Sequence, residues 1–185
     1  MNSGKGKLAF VPENELCEAC RLVRAQKCEN IGAGERIMKY DEKSWERTYI
    51  SPKDNGLVAT QRERIAKSKA SNSERQKFVK EMRMCKVLAD NGHDVEYLRG
   101  VNRPVGQTYD ICMDGIKADL KCITGGAGNI VKYAKKALTK QGGEAVVLEF
   151  PNSPGVEFYE ALAEAMRKCK GRIFFYIFDD NILKE

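Results

Sequence analysis

Two aspartates and a lysine carry the sharpest chemical signal in this sequence. Tyr109-Asp110 and Ala118-Asp119-Leu120-Lys121 flank the dipeptide Asp114-Gly115. Asp-Gly between two apolar runs marks a tight hairpin, so the spacing predicts paired strands over 109–113 and 116–122. Side chains alternate faces along a strand. Asp119 and Lys121 therefore share one face, Leu120 takes the other, and Asp110 on the partner strand can reach the first. Two carboxylates together suit a hard divalent cation such as Mg²⁺, which takes oxygen ligands and keeps several waters. Such an ion polarises a phosphoryl oxygen and acidifies water. A lysine beside it can position or deprotonate that water, or neutralise charge developing in the transition state. The bland alternative is a solvated Asp-Lys pair on a surface hairpin.

A third acid joins them by helical periodicity. Ser71-Asn72-Ser73-Glu74 has the spacing of a capping box, and Asn91-Gly92 supplies a stop. Between them Phe78, Met82, Cys85, Leu88 and Ala89 form one apolar stripe, and Glu81 falls inside it. A carboxylate facing a core is costly unless it is paired or holds a metal. Glu81, on a helix packed against this sheet, is thus expected to point at the hairpin carboxylates Asp110 and Asp119. Glu74 lies on the same face, but its capping role explains it.

These residues need a scaffold, and the sequence predicts one. From residue 71 the order reads helix (to Gly92), strand (95–98), the hairpin, a basic helix (129–140), strand (145–150), helix (156–170) and strand (173–178). Residues 145–150 are almost all apolar, as in a strand buried on both faces. The fold class is α/β, a mixed sheet flanked by helices. Residues 71–185 are expected to form this domain. Residues 1–70 are expected to be a small α/β appendage, with a helix over 13–28, a connection over 31–41, strands over 45–50 and 57–60, and a short helix over 62–70.

Charge points to the class of partner. The chain of 185 residues has a net charge of +6. Residues 61–86 hold nine basic and three acidic side chains, and residues 129–140 add four lysines with no acid. Residues 144–185 are net acidic. Such stripes either face solvent or meet an anion, nucleic acid being the commonest. On the basic helix, Lys132, Lys135 and Lys136, with Asn129, are the candidates for holding a phosphate backbone. The loop Thr124–Gly128 could cradle a phosphate at that helix's start, although a plain connection explains it equally.

Composition excludes several classes. A 42% apolar and 31% charged chain is globular. No run approaches the ~20 apolar residues of a membrane span, so no membrane partner is expected. Met1–Lys7 is charged with no apolar stretch after it, so no secretory leader is expected and the setting reads as cytoplasmic. Seven cysteines without a leader read as free thiols. Zinc at Cys17, Cys20 and Cys28 is not expected, because three thiols fall short of the usual four ligands and the single histidine, His93, is remote. His93 in a Gly-His-Asp turn is a poor triad base. Tyr40, Trp45 and Tyr49 could stack on bases, or simply anchor the N-terminal strands.

The ordered set Glu81, Leu88-Ala89-x-x-Gly92-His93, Tyr109-Asp110, Ala118-Asp119-Leu120-Lys121, Asn129-Ile130 and Gln141 resembles the PD-(D/E)XK nuclease superfamily. Within it, the pattern is most similar to the C-terminal tRNA-nuclease domains of bacterial contact-dependent growth-inhibition toxins, with relatives in phage and mobile elements. The likeness covers about residues 74–150. It implies a restriction-endonuclease-like core in which Asp110 and Asp119 ligate a divalent cation, helped by the Leu120 carbonyl. It implies that Lys121 is the catalytic lysine, that Glu81 is a helix-borne ligand of metal or water, and that Gln141 lies near the active site. It also implies RNA rather than DNA as substrate, a cognate inhibitor protein, and delivery within a larger protein or a virion. The sequence departs from the commoner pattern in carrying Asp-x-Lys in place of Glu-x-Lys. The expected function is therefore metal-assisted phosphodiester hydrolysis. The alternatives are a nucleic-acid-binding accessory protein that keeps the fold without turnover, and a protein-interaction domain.

Overall fold

The computed structural model describes residues 40–185 apart from 54–55, 99–107 and 153. The helix expected over 13–28, the connection before Tyr40 and the cysteines Cys17, Cys20 and Cys28 lie outside the described residues. Seven strands form one mixed sheet in chain order: β1 (Trp45–Ile50), β2 (Leu57–Gln61), β3 (Asp94–Tyr97), β4 (Ile111–Met113), β5 (Ile116–Cys122), β6 (Ala145–Phe150) and β7 (Arg172–Ile177). The described helices are α1 (Arg62–Ser68), α2 (Asn72–Asp90), α3 (Gly128–Lys135) and α4 (Val156–Lys168).

The expected α/β class is the observed one. The expected boundary at residue 70 is not where the chain divides. β2 pairs in parallel with β3 and antiparallel with β1, so both strands belong to the same sheet, and the compact unit begins at Tyr40. The reason is burial: Leu57, Val58 and Ala59 have almost no exposed surface and need the rest of the sheet to cover them. The aromatics of this region also pack. Tyr49 donates to Asp90 Oδ1 at 2.7 Å, and the rings of Tyr40 and Trp45 meet at 5.5 Å.

Local signals act as their chemistry predicts. Ser71 Oγ accepts from the Glu74 N–H at 3.2 Å and starts α2. Only half of the capping box forms, because the Glu74 carboxylate turns to Arg64 and Lys67. Asp114 and Gly115, at φ 49° and 86°, make the two-residue turn between β4 and β5. After α3 the chain winds one π turn (Lys136–Lys140), in which the Gln141 N–H donates to the carbonyl of Lys136.

Strand directions place the chemistry. β3 and β5 are both antiparallel to β4 and therefore run the same way, and β6 and β7 are parallel to β5. The carboxyl ends of β2, β3, β5, β6 and β7 thus share one edge, which also receives the start of β4 at Asp110. The two faces are covered differently. Met84, Cys85 and Leu88 of α2 pack with Val95, Tyr97, Leu120 and Val147. Ile130 and Ala134 of α3 and Phe158 and Leu162 of α4 pack with Val146, Leu148 and Ile173 on the other face.

The tightest approach is at Gly56, where a Cβ would stand 2.2 Å from the Ala89 carbonyl oxygen and 2.7 Å from that of His93. Both are backbone atoms and cannot swing aside. Gly56→Ala is expected to cost about 3 kcal/mol of stability, read as a lowered urea midpoint. An unchanged midpoint would contradict this packing.

Candidate active site

The hairpin brings three of the predicted residues together. Asp119 and Lys121 project from β5 on the face covered by α3 and α4, because their neighbours Ala118 and Leu120 belong to the α2 side. Asp119 is fully buried, and among the described residues no donor reaches its oxygens apart from the two groups that face it. What faces them is the Lys121 ammonium, ion-paired to Oδ2, and the Asp110 carboxyl. Lys121 itself keeps a path to solvent.

Asp110 takes over where β4 stops pairing. Its N–H still bonds the Ala118 carbonyl at 3.1 Å, but its side-chain Oδ2 accepts the Leu120 N–H at 3.0 Å. The carboxyl replaces a missing main-chain acceptor and is thereby aimed along the sheet edge. Burial, reinforced by the hydrogen bond and negative charge of Asp119, pushes the Asp110 pKa up to about 7. The Leu120 N–H and Lys121 oppose this without cancelling it. Two carboxylates that cannot both ionise cheaply thus hold one proton near neutrality.

Gln141 lies beside this edge. Its carbonyl accepts the Thr108 N–H at 2.9 Å, two residues before Asp110. Its side-chain Oε1 is buried without a hydrogen-bond partner. Lys132 and Lys135 of α3 and Lys136 at the start of the π turn are exposed, and Asn129 is half-buried near Gly125.

Glu81 is not brought to the pair. α2 packs on the face of the sheet opposite Asp119, and Glu81 makes no direct contact with Asp110 or Asp119. Glu81 is instead satisfied by protein. It accepts from Arg64 Nη2 at 3.1 Å and from the Tyr97 hydroxyl, with Lys77 Nζ at 3.5 Å. Burial and the adjacent Glu81 hold the Tyr97 hydroxyl well above its ordinary pKa. The sequence signal, an acid in an apolar stripe, correctly marked a buried charge. Its partner is an arginine, not a cation shared with the hairpin.

A second cluster escaped the sequence reading. Glu149 on β6 is 2% exposed, and it accepts from Arg83 Nε at 3.1 Å and from the Tyr176 hydroxyl at 2.6 Å. The cue was present: Glu149 is the lone charge in an otherwise apolar strand.

The donor set bears directly on a metal. Among the described residues no group of three His, Cys, Asp or Glu side chains is arranged to hold one. Asp110 already accepts the Leu120 N–H and Asp119 already pairs with Lys121, so the two carboxylates would suit only a cation that keeps most of its water, as Mg²⁺ does. Glu81 does not contribute to that set.

No protein-family model matches the sequence, and no curated protein matches it. Among solved structures, a CdiA-CT/CdiI toxin and immunity complex from Burkholderia pseudomallei is similar, with a TM-score of 0.46 and 13% identity, covering 75% of this chain and 93% of that one.

The raised Asp110 pKa has a consequence for stability. Between its ordinary value of 3.8 and about 7, the folded chain binds more protons than the unfolded one. This group's contribution therefore falls as pH rises through that window and is lost above it. Asp110→Asn keeps an oxygen for the Leu120 N–H and removes the charge. In EDTA the variant is expected to be more stable than the parent at pH 8, with the gap closing towards pH 5, measured by urea unfolding. A constant gap would show that Asp110 does not hold the proton.

Proposed function

We propose that this chain hydrolyses phosphodiester bonds in nucleic acid, with RNA favoured over DNA and tRNA the first substrate to test. The observation that carries the reading is the buried Asp110–Asp119–Lys121 cluster at the carboxyl edge of a mixed sheet. Open α/β sheets place their ligands at that edge. The preference for RNA rests on the sequence pattern's resemblance to tRNA-nuclease domains, which also motivates a search for an inhibitory protein partner.

The residues divide the work by position. Lys121, ion-paired with Asp119 yet open to solvent, offers positive charge to the non-bridging phosphoryl oxygens as the attacking water adds. Its own orientation is held by Asp119. Asp110, poised near neutrality, can accept the proton of that water as the new P–O bond forms. The departing oxygen takes a proton as the old bond breaks. Gln141 is assigned the placement of substrate or water through its unpartnered Oε1. A divalent cation held by Asp110 and Asp119 would add polarisation of the phosphoryl oxygen. Lys132, Lys135, Lys136 and Asn129 would bind backbone phosphates beyond the site.

The test incubates the protein with total tRNA, single-stranded DNA and duplex DNA, each with Mg²⁺, Mn²⁺, Zn²⁺ or EDTA. Discrete tRNA fragments are expected, and Asp119→Asn and Lys121→Met should each slow their appearance by about 10³-fold. Glu81→Gln should lose stability with little change in the metal dependence of cleavage. Undiminished cleavage by Asp119→Asn would overturn the assignment. No cleavage under any condition, with a salt-sensitive gel shift, would favour a binding module instead.

A further inference from the structure

Ion pairing sorts the basic residues around α2. Arg64, Lys67 and Lys77 are taken up by Glu74 and Glu81 at the α1–α2 contact. Arg83 is bound to Glu149 and lies 4.4 Å above the ring of Phe178. Arg75 and Lys80 are exposed, and no carboxylate among the described residues pairs with them. Positions 72, 75, 76, 79, 80 and 83 recur at helical spacing, so they form one stripe. The stripe lines a groove of about 500 Å³ formed by Asn72, Arg75, Gln76, Val79, Lys80 and Arg83, with no acid among them.

The groove's place in the fold is decisive. α2 returns from the carboxyl end of β2 to the start of β3, so its first half lies at the carboxyl edge of the sheet. Arg83 reaches Glu149 near the end of β6. Lys80 is near enough to Cys122, the residue after Lys121, for its charge to favour the thiolate. The groove and the Asp119 cluster therefore flank one edge from opposite faces.

We infer that this α2 groove is a seat for the phosphate backbone of the nucleic acid, distinct from the lysines of α3. The inference rests on the proposed function in taking the anion to be the polymer processed at that edge. From Arg75 to Arg83 the helix rises about 12 Å, roughly three to four phosphate steps along a duplex strand. The amides of Asn72 and Gln76 add neutral donors of the kind that hold phosphate oxygens. Val79, 59% exposed, supplies an apolar floor for sugar edges between the charges.

The experiment measures binding apart from cleavage. Asp119→Asn protein is titrated with fluorescein-labelled tRNA by anisotropy, from about 50 to about 300 mM salt. Arg75→Ala/Lys80→Ala is compared with Arg167→Ala/Lys170→Ala, at and just beyond the end of α4, which removes equal charge, and thermal melts verify that both fold. The α2 pair should weaken binding by about tenfold or more and reduce the salt slope by about 1.4–1.8, for two lost phosphate contacts. The α4 pair should leave both nearly unchanged. Equal slopes for all proteins, no binding by the parent, or displacement of tRNA by polyglutamate of matched charge would overturn the seat, the last in favour of an acidic protein. Cleavage with Asp119 intact separates the two readings. Binding that depends on Arg75 and Lys80 without cleavage retains the seat and rejects the nuclease. Cleavage and binding that survive the α2 pair reject the seat alone.

Discussion

A carboxylate without access to water stands on the third strand from one edge of the sheet. Burying an ion in this way is tolerated only when a partner charge or a shared proton offsets its lost hydration. Asp119 has both, in Lys121 two residues on and Asp110 across the hairpin. The arrangement depends on where β4 begins. Because main-chain pairing with β5 lapses at Asp110, the side chain can take the Leu120 N–H and come level with Asp119. The turn at Asp114-Gly115 sets the register that makes 110 and 119 opposite. A buried charge cluster placed where strands end is a local conflict of the kind that the proposed function would use.

The other face solves the same problem in the opposite sense. There Glu81 and Glu149 are each met by an arginine and a tyrosine hydroxyl. No orphaned oxygen of either is left for a ligand. These two clusters tie α2 to β3 and to β6, so they fix the rotation of the helix about its axis. Buried ion pairs of this kind add little net stability compared with an apolar core, but they penalise any other register. Fixing that rotation is what turns Arg75 and Lys80 outward. The packing face and the charged groove are consequences of one constraint.

The contrast between the two faces separates readings that composition alone leaves together. Asp110, Asp119, Glu81 and Glu149 are all carboxylates buried or half-buried in the sheet's layers. Their environments divide them into a pair that face each other, with one main-chain N–H and one lysine to hold them, and two that are each met by an arginine and a tyrosine. The cysteines divide similarly. Among the described residues Cys85, Cys112, Cys122 and Cys169 are free thiols. Cys122 sits at the carboxyl end of β5, where burial and Glu149 push its pKa up to about 11.

Much was legible in the chain itself, because short-range chemistry dictates it. The Asp-Gly turn, the Ser71 cap, the apolar run of β6 and the alternation of Asp119, Leu120 and Lys121 depend only on residues within a few positions of one another. They suffice for the element order, the α/β class and the pairing of Asp110 with Asp119. Two things were decided only by tertiary structure. One is the membership of residues 45–68 in the main sheet, which requires the long-range pairing of β2 with β3. The other is the side on which each charge lies. Periodicity shows that Glu81 faces inward, but a sheet has two inward faces, and only the path of the chain places α2 on the one opposite Asp119.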